Sequence, residues 1–179
     1  MVDETPLKRT DHGLVPEAEG WFVVNAHEAR WLEDGGLGCY TPFEGEKRFS
    51  RLGFNIAVLE PGQPNGMYHG EDEQEDFLVL AGECLLLIEE QERKLKAWDF
   101  VHCPAWTEHI FVGAGDGPCT ILMVSTRGPE DKVLYPESEL AQRHGAGVEQ
   151  ETDSAKEAYR RFPNRKTPTS YREGWLPKT

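Results

Sequence analysis

Two histidines and a run of carboxylates are the residues best placed in this sequence to do chemistry. The stretch Met67 to Glu83 reads MYHGEDEQEDFLVLAGE. His69 is followed by Glu71, Asp72, Glu73, Glu75 and Asp76, and then by the apolar run Phe77-Leu78-Val79-Leu80. Carboxylates beside a buried strand are costly unless something pairs with them. On a strand, residues i and i+2 share a face, so His69 and Glu71 point the same way. Downstream, Pro104 precedes His109, which opens another apolar run. Brought toward the inside of a small barrel, two imidazoles and one or two carboxylates make a natural site for a divalent transition metal. Such a site is most useful where open positions remain for substrate or oxygen.

The elements that must position these residues read as strands. Arg51 to Glu60 alternates, with Phe54, Ile56 and Val58 on one face and Asn55, Ala57 and Leu59 on the other. Pro61 to Gly66 ends it with turn chemistry. Phe77–Leu80, Cys84–Ile88, Lys94–Ala97, Phe100–Cys103, His109–Val112 and Cys119–Ser125 follow as short strands separated by turn signals, and Trp21–Val24 reads as another. The spacing leaves no room for crossover helices, so an all-β sandwich or barrel is expected rather than a parallel α/β sheet. Short helices are expected at Glu137–Arg143 and at Ser154–Phe162, the second capped by Asp153 and stopped by Pro163. Three segments result: a loose N-terminal arm over 1–20, the β domain over 21–127, and short helices with a proline-rich tail over 128–179. Tyr171 and Trp175 can dock that tail onto the barrel or onto a neighbouring subunit.

The chain has 179 residues and a net charge of -13, which argues against a nucleic-acid partner. Its few late cations, Arg160-Arg161 and Arg165-Lys166, read as a solvated tail. No run of 18 apolar residues exists, so no membrane span is expected. The polar, acidic start carries no secretion signal, so a cytoplasmic protein with reduced Cys39, Cys84, Cys103 and Cys119 is expected.

The spacing resembles that of the cupin superfamily, whose motifs are G-x5-H-x-H-x3,4-E-x6-G and G-x5-P-x-G-x2-H-x3-N. Here they become His69-x-Glu71-x3-Glu75-x6-Gly82 and Trp98-x5-Pro104-x-Trp106-x2-His109-x3-Gly113, over roughly residues 50 to 127. Glu71 replaces the second histidine. Trp98, Trp106 and Gly113 stand where the pattern has Gly, Gly and Asn, and Gly62 is shifted by one position. The resemblance implies a double-stranded β-helix, the cupin jelly-roll barrel. It implies metal ligands at His69, Glu75 and His109, with Glu71 in the fourth ligand's place. The metal would be Zn, Mn, Fe or Ni. If Glu71 does not bind, it can serve as an acceptor behind the ligands or as a catalytic general base beside an activated water. The resemblance also implies a small-molecule ligand and a homodimer.

The expected function is a metal-binding, single-domain cupin acting as a small-molecule enzyme. Oxygenase, isomerase and lyase chemistry stay open. The alternative is a non-catalytic binding or sensor module with a structural metal. Asp72, Glu73 and Asp76 read as a solvated acidic loop. His102 can project into the barrel as a substrate contact, and Trp106 is the best pocket candidate among the aromatic residues.

Overall fold

The computed structural model describes residues 1–128 and 132–177. Pro129–Asp131 and the last two residues of the expected tail lie outside them. The strands are β1 (Leu7–Thr10), β2 (Gly13–Pro16), β3 (Trp31–Glu33), β4 (Cys39–Thr41), β5 (Leu52–Leu59), β6 (Gly70–Glu71), β7 (Glu75–Ala81), β8 (Glu83–Ile88), β9 (Gln91–Lys96), β10 (Phe100–Cys103), β11 (His109–Ala114), β12 (Cys119–Thr126), β13 (Val133–Leu134) and β14 (Thr167–Thr169). Two short helices, α1 (Glu139–Arg143) and α2 (Ala155–Ala158), lie between β13 and β14. The fold is all-β, a double-stranded β-helix, as expected.

One sheet has the order β10-β7-β12-β5-β4-β3-β14, and a second runs β11-β8-β9. All the ladders between named strands are antiparallel. Antiparallel bridges from Pro64 to Val112 and from His69 to His109 lay the 64–69 segment along β11. The core lies between the sheets, with Leu59, Phe77, Val79 and Ile121 from one and Cys84, Leu86 and Phe111 from the other. Along β7 the inward row is Glu75, Phe77, Val79, with Phe77 and Val79 buried. Period-two alternation therefore continues an apolar row into a carboxylate at the strand's first residue. Phe77 and Phe111 meet at 4.7 Å between ring centroids, and each such buried ring stabilises the fold by about 1.5–3 kcal/mol.

Two motif positions have a steric reason. Gly82 joins β7 to β8 at φ +74°, and a Cβ there would lie 2.4 Å from the Pro118 carbonyl oxygen. At Gly113 a Cβ would lie 2.2 Å from the Glu60 carbonyl oxygen, so glycine stands where the family pattern has Asn because the chain leaving β5 passes too close.

Several elements differ from the expectation. Trp21–Val24 is not a strand. Trp21 makes one bridge to Glu4, and Trp21 and Val23 are exposed, so aromatic and β-branched character did not find a core to pack on. The N-terminal arm is a hairpin, β1 with β2, rather than a loose segment. Strand β9 spans Gln91–Lys96 rather than the expected Lys94–Ala97, since its first four residues are exposed and polar and carry no apolar signal. The second helix is a single turn capped by Ser154 rather than Asp153, and it ends at Ala158. The tail packs on its own barrel. Strand β14 pairs with β3, Trp175 is buried 5.0 Å from the Trp31 ring, and Thr120 donates a hydrogen bond to the Trp175 carbonyl.

Candidate metal centre

His69 and His109 are directly opposed residues of one antiparallel bridge. The His109 amide donates to the His69 carbonyl at 2.9 Å, and the His69 amide donates to that of His109 at 3.3 Å. Opposed residues project to the same face, which sets their imidazole centroids 5.3 Å apart. Glu75 reaches them from the facing sheet. Its Oε2 lies 3.1 Å from His109 Nε2 and 4.0 Å from His69 Nε2. Glu71 Oε2 lies 3.9 Å from His69 Nε2. His69, Glu71 and Glu75 offer three donor atoms within 4.8 Å of one another. Donors bound about 2.1 Å from one ion stand roughly 3 to 4.2 Å apart. The His69–Glu71, His69–Glu75 and His109–Glu75 pairs fall in that range, while His109 stands outside the group of three mutually close donors and meets it through Glu75.

The ring orientations are set by the backbone. His69 Nδ1 lies 2.8 Å from the Met67 carbonyl and His109 Nδ1 lies 2.9 Å from the Thr107 carbonyl. A carbonyl only accepts, so each Nδ1 carries a proton and each Nε2 faces the carboxylates. Orienting a ligand histidine through its other nitrogen is the usual arrangement around metals. With His109 neutral, the Oε2 of Glu75 is a buried acceptor without a donor. Either a proton on His109 or a cation has to stand there.

The electrostatics of the metal-free site follow. Burial lowers the pKa of His69, and the neighbouring His109 charge lowers it further, against the pull of Glu75. Burial also works against a charged His109, but the hydrogen bond and charge of Glu75 outweigh it and the pKa rises. Glu75 moves the other way. Burial alone would raise it, and the contact with His109 holds it below its ordinary value. Phe77 closes one side, its ring 5.2 Å from that of His109.

The remaining acidic residues are tied down outside this cluster. Asp72 accepts from the Lys132 amide, Glu73 from the Thr126 hydroxyl, and Asp76 from the Gln74 amide group. They shape the turn between Glu71 and β7. His102 does not enter the barrel. It sits on the outer face of β10, half exposed, with Nδ1 2.7 Å from Asp76 Oδ1, because its register is shared with the exposed Phe100 while Val101 and Cys103 face inward. Trp106 is half exposed, and its backbone amide donates to the Glu71 carbonyl at 2.6 Å. Trp98 and Trp106 both hold positive φ, +76° and +66°. The backbone there keeps the conformation that the glycines of the pattern provide. All four cysteines are free thiols.

Sequence reasoning missed the support behind His69. The Met67 amide, two residues before His69, donates to the Tyr159 hydroxyl at 3.2 Å, and Tyr135 lies 5.8 Å from the His69 ring. Arg165, read as a solvated cation, stacks 3.6 Å over Tyr159 and forms a two-bond fork with the buried Asp34 at 3.0 and 2.8 Å. The available signal was an aromatic residue just before a basic pair in Tyr159-Arg160-Arg161, but nothing local assigns it a partner 92 residues away.

Residues 55–125 match the family described as Cupin domain. The chain carries a cupin-type domain. The matched span encloses His69, Glu71, Glu75 and His109. A sugar phosphate isomerase of the cupin superfamily from Silicibacter pomeroyi DSS-3 is similar at 21% identity and a TM-score of 0.51, covering 86% of this chain and 83% of that one. A predicted oxalate decarboxylase from Thermotoga maritima shares 19% identity with a TM-score of 0.52, over 59% of this chain and 98% of that one. An RmlC-like cupin from Shewanella frigidimarina shares 16% identity with a TM-score of 0.51, over 60% of this chain and 91% of that one. At such identities the likeness is one of fold. No curated protein matches the sequence. No helix among the described residues is long and apolar enough to cross a membrane.

Proposed function

We propose that this cupin is a metal-dependent small-molecule enzyme. A divalent ion is held by His69, Glu75 and His109, with Glu71 as fourth donor. One observation carries the reading: both histidines give their Nδ1 protons to backbone carbonyls and turn Nε2 toward a single buried carboxylate oxygen of Glu75. Two neutral imidazoles and two carboxylates balance a divalent charge, and so oxygen-rich a set suits Mn, Fe, Zn or Ni better than copper(I). Bound there, such an ion supplies Lewis acidity or activates a small oxygen ligand. The protein's own part is to fix the donors and exclude water on the Phe77 side. Glu71 has the most accessible side chain of the four, at the open edge of the set; were it displaced from the ion, it would be the residue placed to accept a proton from substrate or water.

The substrate is a small molecule. The protein acts as a cytoplasmic homodimer, and the edge strand β10, with Phe100 exposed on it and Trp98 exposed in the turn before it, supports the pairing. Elemental analysis is expected to give about one divalent metal per chain, removed by His69→Ala with His109→Ala. Absence of metal after reconstitution with Mn, Fe, Zn and Ni ends the proposal. Saturable small-ligand binding without turnover in metal-loaded protein would instead favour a sensor role.

A further inference from the structure

Glu75 also lines a cavity of about 470 Å³ whose wall includes residues of β4, β5 and the segment bearing Arg165 but neither histidine. Its wall is unusual for a chain with a net charge of -13. Two of its acids, Asp34 and Glu44, are buried and already neutralised, by Arg165 and by Arg127. That leaves Arg30, Arg48 and Lys166 against two acids, the exposed Glu46 and Glu75 itself. Among the described residues neither the Arg48 nor the Lys166 side chain has an acidic partner. Arg30 donates from Nη2 to the Glu44 carbonyl at 3.0 Å, yet its Nε–H is buried with no acceptor. A buried donor left unpaired is disfavoured, and an arginine fork matches the paired oxygens of a carboxylate or phosphate. Asn55 and Asn65 line the same cavity.

We propose that this cavity binds the anionic end of the substrate, a carboxylate or phosphate monoester seated on Arg30 with Arg48 and Lys166 at the mouth. The inference rests on the metal reading for the other end, where a hydroxyl or carbonyl reaches the Glu75 side. The anion seat and the metal can fail separately, and the test keeps them apart. Chelator-treated protein is titrated calorimetrically with inorganic phosphate and with acetate. Saturable one-to-one binding is expected for at least one of them, weakened about tenfold or more by Arg30→Gln and severalfold by Arg48→Gln. Lys47→Gln, exposed and outside this cavity wall, should leave it unchanged. Among the described residues the Arg48 side chain makes no hydrogen bond, so its variant reports even if Arg30→Gln unfolds. The double variant His69→Ala with His109→Ala should keep the anion while losing the metal. Stronger binding of phosphate points to a phosphate ester, and stronger binding of acetate to a carboxylic acid. No saturable binding of either, or equal weakening by Arg48→Gln and Lys47→Gln, overturns the proposal.

Discussion

Metal uptake at the proposed centre should release one proton, and that proton should come from His109. In the metal-free site His109 is raised above its ordinary value of 6.5 by Glu75, whereas His69 is lowered from the same value by burial and by His109. Glu75 is lowered from 4.5 and is ionised throughout the neutral range. Near pH 6.5, therefore, His109 is mostly protonated and His69 mostly neutral. Binding an ion to Nε2 of both rings displaces about one proton rather than two. The apparent affinity should then rise by up to about tenfold per pH unit, or about 1.4 kcal/mol, over the range between the lowered His69 value and the raised His109 value, and flatten above the latter. Calorimetric titration of Zn or Mn into chelator-treated protein, in two non-chelating buffers of different ionisation enthalpy, reads the proton count directly. A count near zero or near two across that range would refute the electrostatic account of the site.

The same shifts predict how the metal-free protein responds to pH. Stabilisation from His109, whose folded pKa is raised, is complete below about 6.5 and is lost as pH climbs through the raised value. His69, whose folded pKa is lowered, contributes fully above about 6.5 and loses its share as pH falls. Glu75 adds a further loss at lower pH, as its depressed value is crossed. Melting temperature should peak near pH 6.5, with the acid limb flattened by His69→Ala and the alkaline limb by His109→Ala; a monotonic profile would count against this. Tyr159→Phe leaves the Met67 amide without its acceptor, so chemical denaturation should show a loss of about 1–3 kcal/mol together with weaker metal binding. An unchanged metal affinity would show that the brace does not reach His69. In light scattering, Trp98→Glu with Phe100→Glu should convert a dimer to a monomer, and a wild-type monomer would remove the dimer from the proposed function.

The barrel was legible because its signal is local. The alternation in β5, the apolar run of β7 and the turn at Gly82 each report on neighbours in sequence. The four candidate donors were legible because their spacing is set by strand geometry: His69 and Glu71 two apart, Glu75 heading β7, His109 heading β11. Other features depend on distant partners. Strands β3, β4 and β14 span three residues each, too short for a period to show. Trp21–Val24 has strand composition but no partner ladder. His102 was misplaced because alternation gives two faces and does not say which is inside. Arg165 read as solvated because its counterion, Asp34, lies 131 residues away in sequence.

The substitution at Glu71 links the two halves of the proposal. Three histidines and one glutamate, as in the family pattern, leave a divalent ion with one positive charge in excess. With Glu71 in the second histidine's place the proposed set is neutral, so the ion attracts an anion far less at long range. An anionic substrate then has to be drawn and held by the protein's own cations. The cavity on the Glu75 side supplies Arg30, Arg48 and Lys166 where most of the surface is acidic. Glu71→His should therefore loosen the dependence on those cations: in metal-loaded protein, Arg48→Gln should weaken phosphate less on the Glu71→His background than on the wild-type one. Equal weakening on both backgrounds would show that the charge of the centre and the charge of the cavity act independently.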